Sequence, residues 1–118
     1  MPQLHGSTIK HPFRSKYTLF FNRSLKSADF SGNYIGDEGT AALSEALKTN
    51  STLETLELRS NKVGAAGAQS LAGMLQVNRA LKSVDLRYNS IPDEGCRQLR
   101  AAVGNKSITL HIEPQQYS

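Results

Sequence analysis

The sequence predicts a single short α/β solenoid, in which stacked repeats build a parallel β-sheet and helices cover its back. Three observations predict it. A unit of 28 residues occurs three times without a gap, starting at Leu25, Leu53 and Leu81. Each unit opens with apolar residues at strand spacing and continues with apolar residues at helix spacing. A chain of 118 residues has room for one small domain, so the three units must share one core.

Residues 1–24 read as a basic arm and helical cap ahead of the repeats. Lys10, Arg14, Lys16 and Arg23 give it a charge of +4, which is the net charge of the whole chain, so residues 25–118 are neutral. Residues 1–12, with Pro2, Gly6 and Pro12, are expected to be loose. Phe13 to Asn22 reads as a helical half-repeat whose Tyr17, Phe20 and Phe21 help cover the first strand.

The repeats themselves are 25–52, 53–80 and 81–107. Their openings, LKSADFSGN, LETLELRSN and LKSVDLRYN, place Ala28 and Phe30, Leu56 and Leu58, and Val84 and Leu86 two apart, the spacing of one strand face. Their second halves place Leu43 with Leu47, Leu71 with Leu75 and Leu99 with Val103, four apart on one helix face. Asp37-Glu38 and Asp93-Glu94 open two of the helices, where a carboxylate favours the positive dipole end. Asn50, Asn78 and Asn105 fall near the helix ends, where a left-handed residue is expected to stop the helix. Neither half can bury its apolar face alone, so the units must stack. Asn33, Asn61 and Asn89 end the strands at matched positions. Their amides are expected to donate to backbone carbonyls in the next turn and so satisfy groups that a curving backbone leaves unpaired.

Residues 108–118 read as a capping strand and tail. Ile108, Leu110 and Ile112 alternate as a fourth strand, and Pro114 stops it. Its outer edge exposes unpaired backbone groups that either Glu113-Pro114 blunts or a partner covers.

The pattern LxxLxLxxN at this period, followed by xIGDEGxxxLxxxL, resembles a leucine-rich repeat of the ribonuclease-inhibitor type, as found in NOD-like receptors and Ran GTPase-activating proteins. It is filled at Leu53, Leu56, Leu58 and Asn61, at Leu81, Val84, Leu86 and Asn89, and more loosely at Leu25, Ala28, Phe30 and Asn33. The resemblance implies a horseshoe-like solenoid, with the parallel sheet on the concave side and the helices on the convex side, that binds protein partners on the sheet. This chain has fewer repeats than is usual in the family and lacks the cysteine richness of ribonuclease inhibitor.

Side chains between the core residues of each strand face away from the helices in three rows. These are Ser27, Thr55 and Ser83; Asp29, Glu57 and Asp85; and Ser31, Arg59 and Arg87, with Tyr88 at the edge. Neighbouring strands lie about 4.8 Å apart, so like charges stack along the acid row, and the arginines offset them. Two readings follow. One is a self-compensating lattice of acids and arginines on a solvated face. The other is a recognition patch of Asp29, Ser31, Thr55, Glu57, Arg59, Asp85, Arg87 and Tyr88 for a protein partner with a basic segment, anchored by Arg87 and Tyr88. Three carboxylates in a line do not converge on one ion as a Ca²⁺ loop does, so no metal is expected there.

No catalytic residues and no cofactor are expected. His5, His11 and His111 have no nucleophile near them in sequence, and Gly64-Ala65-Ala66-Gly67 lacks the Lys-Ser/Thr of a phosphate loop. The single cysteine, Cys96, aligns with Thr40 and Ala68 and is expected to be a buried, inert thiol. No apolar run approaches the roughly 20 residues of a membrane helix, and the N-terminal residues lack the apolar stretch of a secretory signal, so a cytoplasmic setting is expected. The expected function is a non-enzymatic protein-interaction module or small scaffold subunit of a eukaryotic intracellular assembly. A dimer or larger complex through the open solenoid ends fits the same reading. The alternatives are a small-GTPase regulator, which the resemblance allows, and RNA contact through the basic arm, although nucleic acid is not the expected partner.

Overall fold

A computed structural model describes residues 24–116 and the backbone of residues 8 and 9. Strands and helices alternate along the repeats: β1 Thr8–Ile9, β2 Ser27–Asp29, α1 Gly36–Thr49, β3 Thr55–Glu57, α2 Ala65–Val77, β4 Ser83–Asp85, α3 Asp93–Val103 and β5 Thr109–His111. The five strands form one sheet in sequence order, all parallel. The 28-residue period sets the register: Ser27 pairs with Thr55 and Thr55 with Ser83, Asp29 with Glu57 and Glu57 with Asp85. The chain is thus the α/β repeat solenoid that its periodicity predicts. Among the described residues no helix is long and apolar enough to cross a membrane.

One difference lies in the arm. Composition leaves residues 1–12 loose, yet Thr8–Ile9 pairs in parallel with Ser27–Ala28. The backbone of β2 would otherwise present an unpaired edge, which any extended segment within reach can satisfy. The half-repeat expected over Phe13 to Asn22 lies outside the described residues.

The core runs between the sheet and the helices. Leu25, Ala28, Phe30, Leu53, Leu56, Leu58, Val84 and Leu86 meet Leu47, Leu71, Leu75 and Leu99, all fully buried. Cys96 is buried among them, its thiol facing the Ile91 carbonyl at 3.9 Å, and burial pushes its pKa up.

Two polar ladders flank this core, one at each end of the strands. In the first, Asn61 Oδ1 accepts from the Asn33 and Ile35 amides at 2.9 and 3.3 Å, and its Nδ2 donates to the Phe30 carbonyl at 2.9 Å. Asn89 repeats the pattern one unit later, accepting from Asn61 and Val63 at 2.9 and 3.0 Å and donating to Leu58 and Leu86 at 2.9 Å. The amides therefore serve their own turn and the preceding one, not the next as expected. Both side chains are buried and fully engaged, as buried amides must be. Gln115 ends the ladder: its Oε1 accepts from the Ile91 amide at 3.0 Å and its Nε2 donates to the Leu86 carbonyl at 2.9 Å and to that of Ile112.

The second ladder holds the helix ends. Asn50 and Asn78 are not left-handed; both are extended, with φ near −79° and −73°. Their side-chain oxygens accept from the amides of Leu53 and Leu81 at 2.9 Å, which turns the chain into the next strand. Asn78 Nδ2 also donates back to the Leu47 carbonyl at 2.7 Å. Lys106 occupies the matching position of the third unit and donates to the Leu75 carbonyl. The left-handed stop of α3 falls on Gly104, φ 53°, while Asn105 is exposed.

Between helices the fit is close. Asp37, in the first turn of α1, accepts at one oxygen from the Gly64 and Gly67 amides at 2.6 and 3.0 Å. Its carboxylate therefore caps the helix of the next unit rather than its own. Beyond β5, the chain turns so that the Pro114 carbonyl accepts from the Tyr88 amide at 2.8 Å, and Arg100 pairs with Glu113 at 3.2 Å.

Candidate functional site

The parallel register brings the three predicted rows together on the side of the sheet away from the helices. Asp29, Glu57 and Asp85 are consecutive partners across β2, β3 and β4, and His111 of β5 continues their row. Ser31, Arg59 and Arg87 lie two residues further along each chain. Thr55 occupies the row below, half-buried, and Tyr88 stands exposed at the rim.

These residues are not equivalent. Arg87 grips Asp85 with two nitrogens, Nε to Oδ1 at 3.0 Å and Nη2 to Oδ2 at 2.7 Å, and its backbone amide adds a third bond at 3.1 Å. Arg59, one strand earlier, reaches both Glu57 at 3.8 Å and Asp85 at 3.6 Å. The two guanidinium groups close over Asp85, leaving it only 5% exposed. Asp85 is therefore an internal counter-ion that positions the arginines, and it is not itself presented to a partner. At the other end, Ser31 stands where the later units carry arginine, and its backbone amide donates to Asp29 Oδ1 at 3.0 Å. The face thus grades from an acidic end at Asp29 and Glu57 to an arginine and tyrosine end at Arg87 and Tyr88.

Burial alone would raise the pKa of Asp85. The Arg87 side-chain and backbone hydrogen bonds, with the charges of Arg87 and Arg59, outweigh burial and hold it below the ordinary 3.8. A lowered carboxylate adds stability that is fully present above its unfolded-state pKa and is lost as pH falls through the folded one. Acid titration of the folded chain, followed by circular dichroism, is expected to show a loss of stability below about pH 4 that Asp85→Asn flattens.

Among the described residues, no group of three or more His, Cys, Asp and Glu could hold a metal ion. A further feature lies beside this face. The loops after β2, β3 and β4 carry Tyr34, Ser60, Lys62 and Tyr88 in the left-handed backbone region, with φ of 54° to 61°. They line a groove of about 450 Å³ along the rim, together with Gly32, Ser90 and Gln116.

The leucine-rich repeat model matches residues 21–44, 49–72 and 77–99, together more than half of the chain. The chain belongs to the leucine-rich repeat family. Two solved structures place this member of the family by fold. The tropomodulin C-terminal domain of Caenorhabditis elegans superposes with a TM-score of 0.76 at 16% identity, covering 92% of this chain and 65% of that one. The leiomodin-1 actin-binding site 2 superposes with a TM-score of 0.74 at 21% identity, covering 87% and 63%. The leucine-rich repeat chain therefore spans a little under two thirds of each of these domains. A comparison with curated protein sequences gives no match.

Proposed function

We propose that this leucine-rich repeat chain is a non-enzymatic protein-interaction module that docks a partner on the concave sheet face, within an intracellular assembly. The supporting observation is the in-register grading of that face, from Asp29 and Glu57 to Arg59, Arg87 and Tyr88. A graded face reads the orientation of a partner, because reversing the partner sets like charges against each other. Arg87 and Tyr88 supply the anchoring chemistry favoured at binding hot spots, and Arg87 is pre-oriented by Asp85, so little side-chain freedom is lost on docking. A basic partner segment meets Asp29 and Glu57. The leiomodin-1 domain is named as an actin-binding site, which makes actin the first candidate partner to test.

The experiment is a pull-down and an actin co-sedimentation with the wild type and with a Glu57→Lys, Arg87→Glu double variant. Loss of the wild-type partner, with at least about a tenfold weakening, is the expected result. A partner list and co-sedimentation unchanged by the double reversal would remove the concave face as the docking site.

A further inference from the structure

We infer that the rim groove of Tyr34, Lys62 and Tyr88, which adjoins the concave face and shares Tyr88 with its edge, is a second docking site that takes an extended acidic segment of a protein partner.

The backbone is the first reason. Gly32, Ser60 and Tyr88 occupy the same place in successive units, all with positive φ. Gly32 shows that glycine fits this turn, with open space where a Cβ would stand. Ser60 and Tyr88 adopt the same turn against the steric preference of L-residues, as do Tyr34 and Lys62 two positions on. At these positions the turn carries side chains that glycine would lack. The tyrosines point to solvent: Tyr34 is 75% exposed and Tyr88 42%.

Charge identifies the occupant. Lys26, Lys48, Arg59, Lys82, Arg87, Arg97 and Arg100 each have a carboxylate within 4.0 Å. Lys62, like Arg79 and Lys106, has none among the described residues, and of these three it alone lines the groove; its ammonium lies 5.2 Å from the Tyr34 ring centre. Among the described residues no acid lines the groove, and the other side-chain groups around it are the tyrosine and serine hydroxyls and the Gln116 amide, all able to donate. A wall of donors around one uncompensated cation suits a carboxylate. The two rings offer faces for the flanking residues. Tyr34 lies in the first unit and Tyr88 in the third, two strand spacings or about 10 Å apart across the sheet and offset by two positions along the repeat, a span of about three to four residues of extended chain.

The probe is a fluorescently labelled Glu-Pro repeat peptide, which is acidic and extended, with a Gln-Pro peptide as its neutral counterpart, read by fluorescence anisotropy. The variant is Tyr34→Gly with Lys62→Gly. Both positions have positive φ, so glycine relieves the backbone, and the thermal midpoint is expected to hold or rise. The Glu-Pro peptide is expected to bind the wild type at least about tenfold more tightly than the Gln-Pro peptide, and to lose at least about tenfold on the double glycine variant. The Glu57→Lys, Arg87→Glu variant is expected to keep this binding, which separates the groove from the concave face. No binding to the wild type, equal binding of the two peptides, or binding unchanged in the glycine variant overturns the proposal. So does selective binding of a phosphopeptide with none of the Glu-Pro peptide.

Discussion

Replacing Asn89 with alanine is expected to remove about 4 kcal/mol or more of stability, a large share of the roughly 5–15 kcal/mol that holds a small domain together. The side chain is 1% exposed and satisfies four backbone groups: the amides of Asn61 and Val63 and the carbonyls of Leu58 and Leu86. Alanine leaves all four in the interior, and a buried unsatisfied group costs about 1–3 kcal/mol. Water cannot easily replace the amide, because each rung is enclosed by the next. A thermal midpoint lowered by more than about 15 °C is the expected reading. The control is Asn105→Ala, at an exposed residue near the end of the same repeat, with an expected change within about 0.5 kcal/mol. Equal effects at the two sites would show that Asn89 does not hold the turns.

Gly67→Ala is expected to reverse the usual sign of a helical glycine substitution. Inside a helix, alanine is ordinarily better than glycine by about 0.5–1 kcal/mol. At Gly67 a Cβ would lie 2.7 Å from Asp37 Oδ1 and 2.7 Å from Val63 Cγ1. Asp37 cannot then keep its bonds to Gly64 and Gly67, so α2 loses its cap while the contact with α1 is forced apart. A net loss of about 1–3 kcal/mol follows from overpacking and the broken cap together. Gly73, in the same helix, has open space where its Cβ would stand. Gly73→Ala is therefore expected to stabilise the chain by about 0.5–1 kcal/mol. Chemical denaturation of the two variants checks both signs, and a stabilised Gly67→Ala would mean that α1 and α2 are not pressed together at this point.

The repeat and its register were legible because matched residues recur at one spacing, so the rows on the sheet followed from counting. The depth of each side chain did not. Asp29 and Asp85 are aligned in sequence, but only Asp85 has an arginine two positions on and another on the neighbouring strand to close over it. Counting also finds the strand-end asparagines and two of the three helix-end positions, Asn50 and Asn78, while Asn105 lies one residue short of Lys106, which takes the third. Their geometry depends on neighbours a full unit away, so the direction of donation and the extended backbone at Asn50 and Asn78 stayed hidden. Gln115 was invisible for a simpler reason, since it stands two positions short of the place where a fourth asparagine would fall. Of the rim tyrosines, Tyr88 is legible as the edge of the strand rows, whereas Tyr34 leaves no trace in an apolar periodicity, because left-handed loop residues belong to neither the strand nor the helix pattern.

The asparagine rungs also give the molecule a heading that its look-alike units conceal. On both flanks, a side chain from one unit completes the backbone of the unit before it, while Asp37 caps the backbone of the unit after it. Injury to a unit is thus felt upstream, and its downstream neighbour keeps its own complement. Exchanging units is not neutral for the same reason: whichever one is moved to the last place needs a terminator to stand in for the missing successor, the part that Gln115 plays for the third.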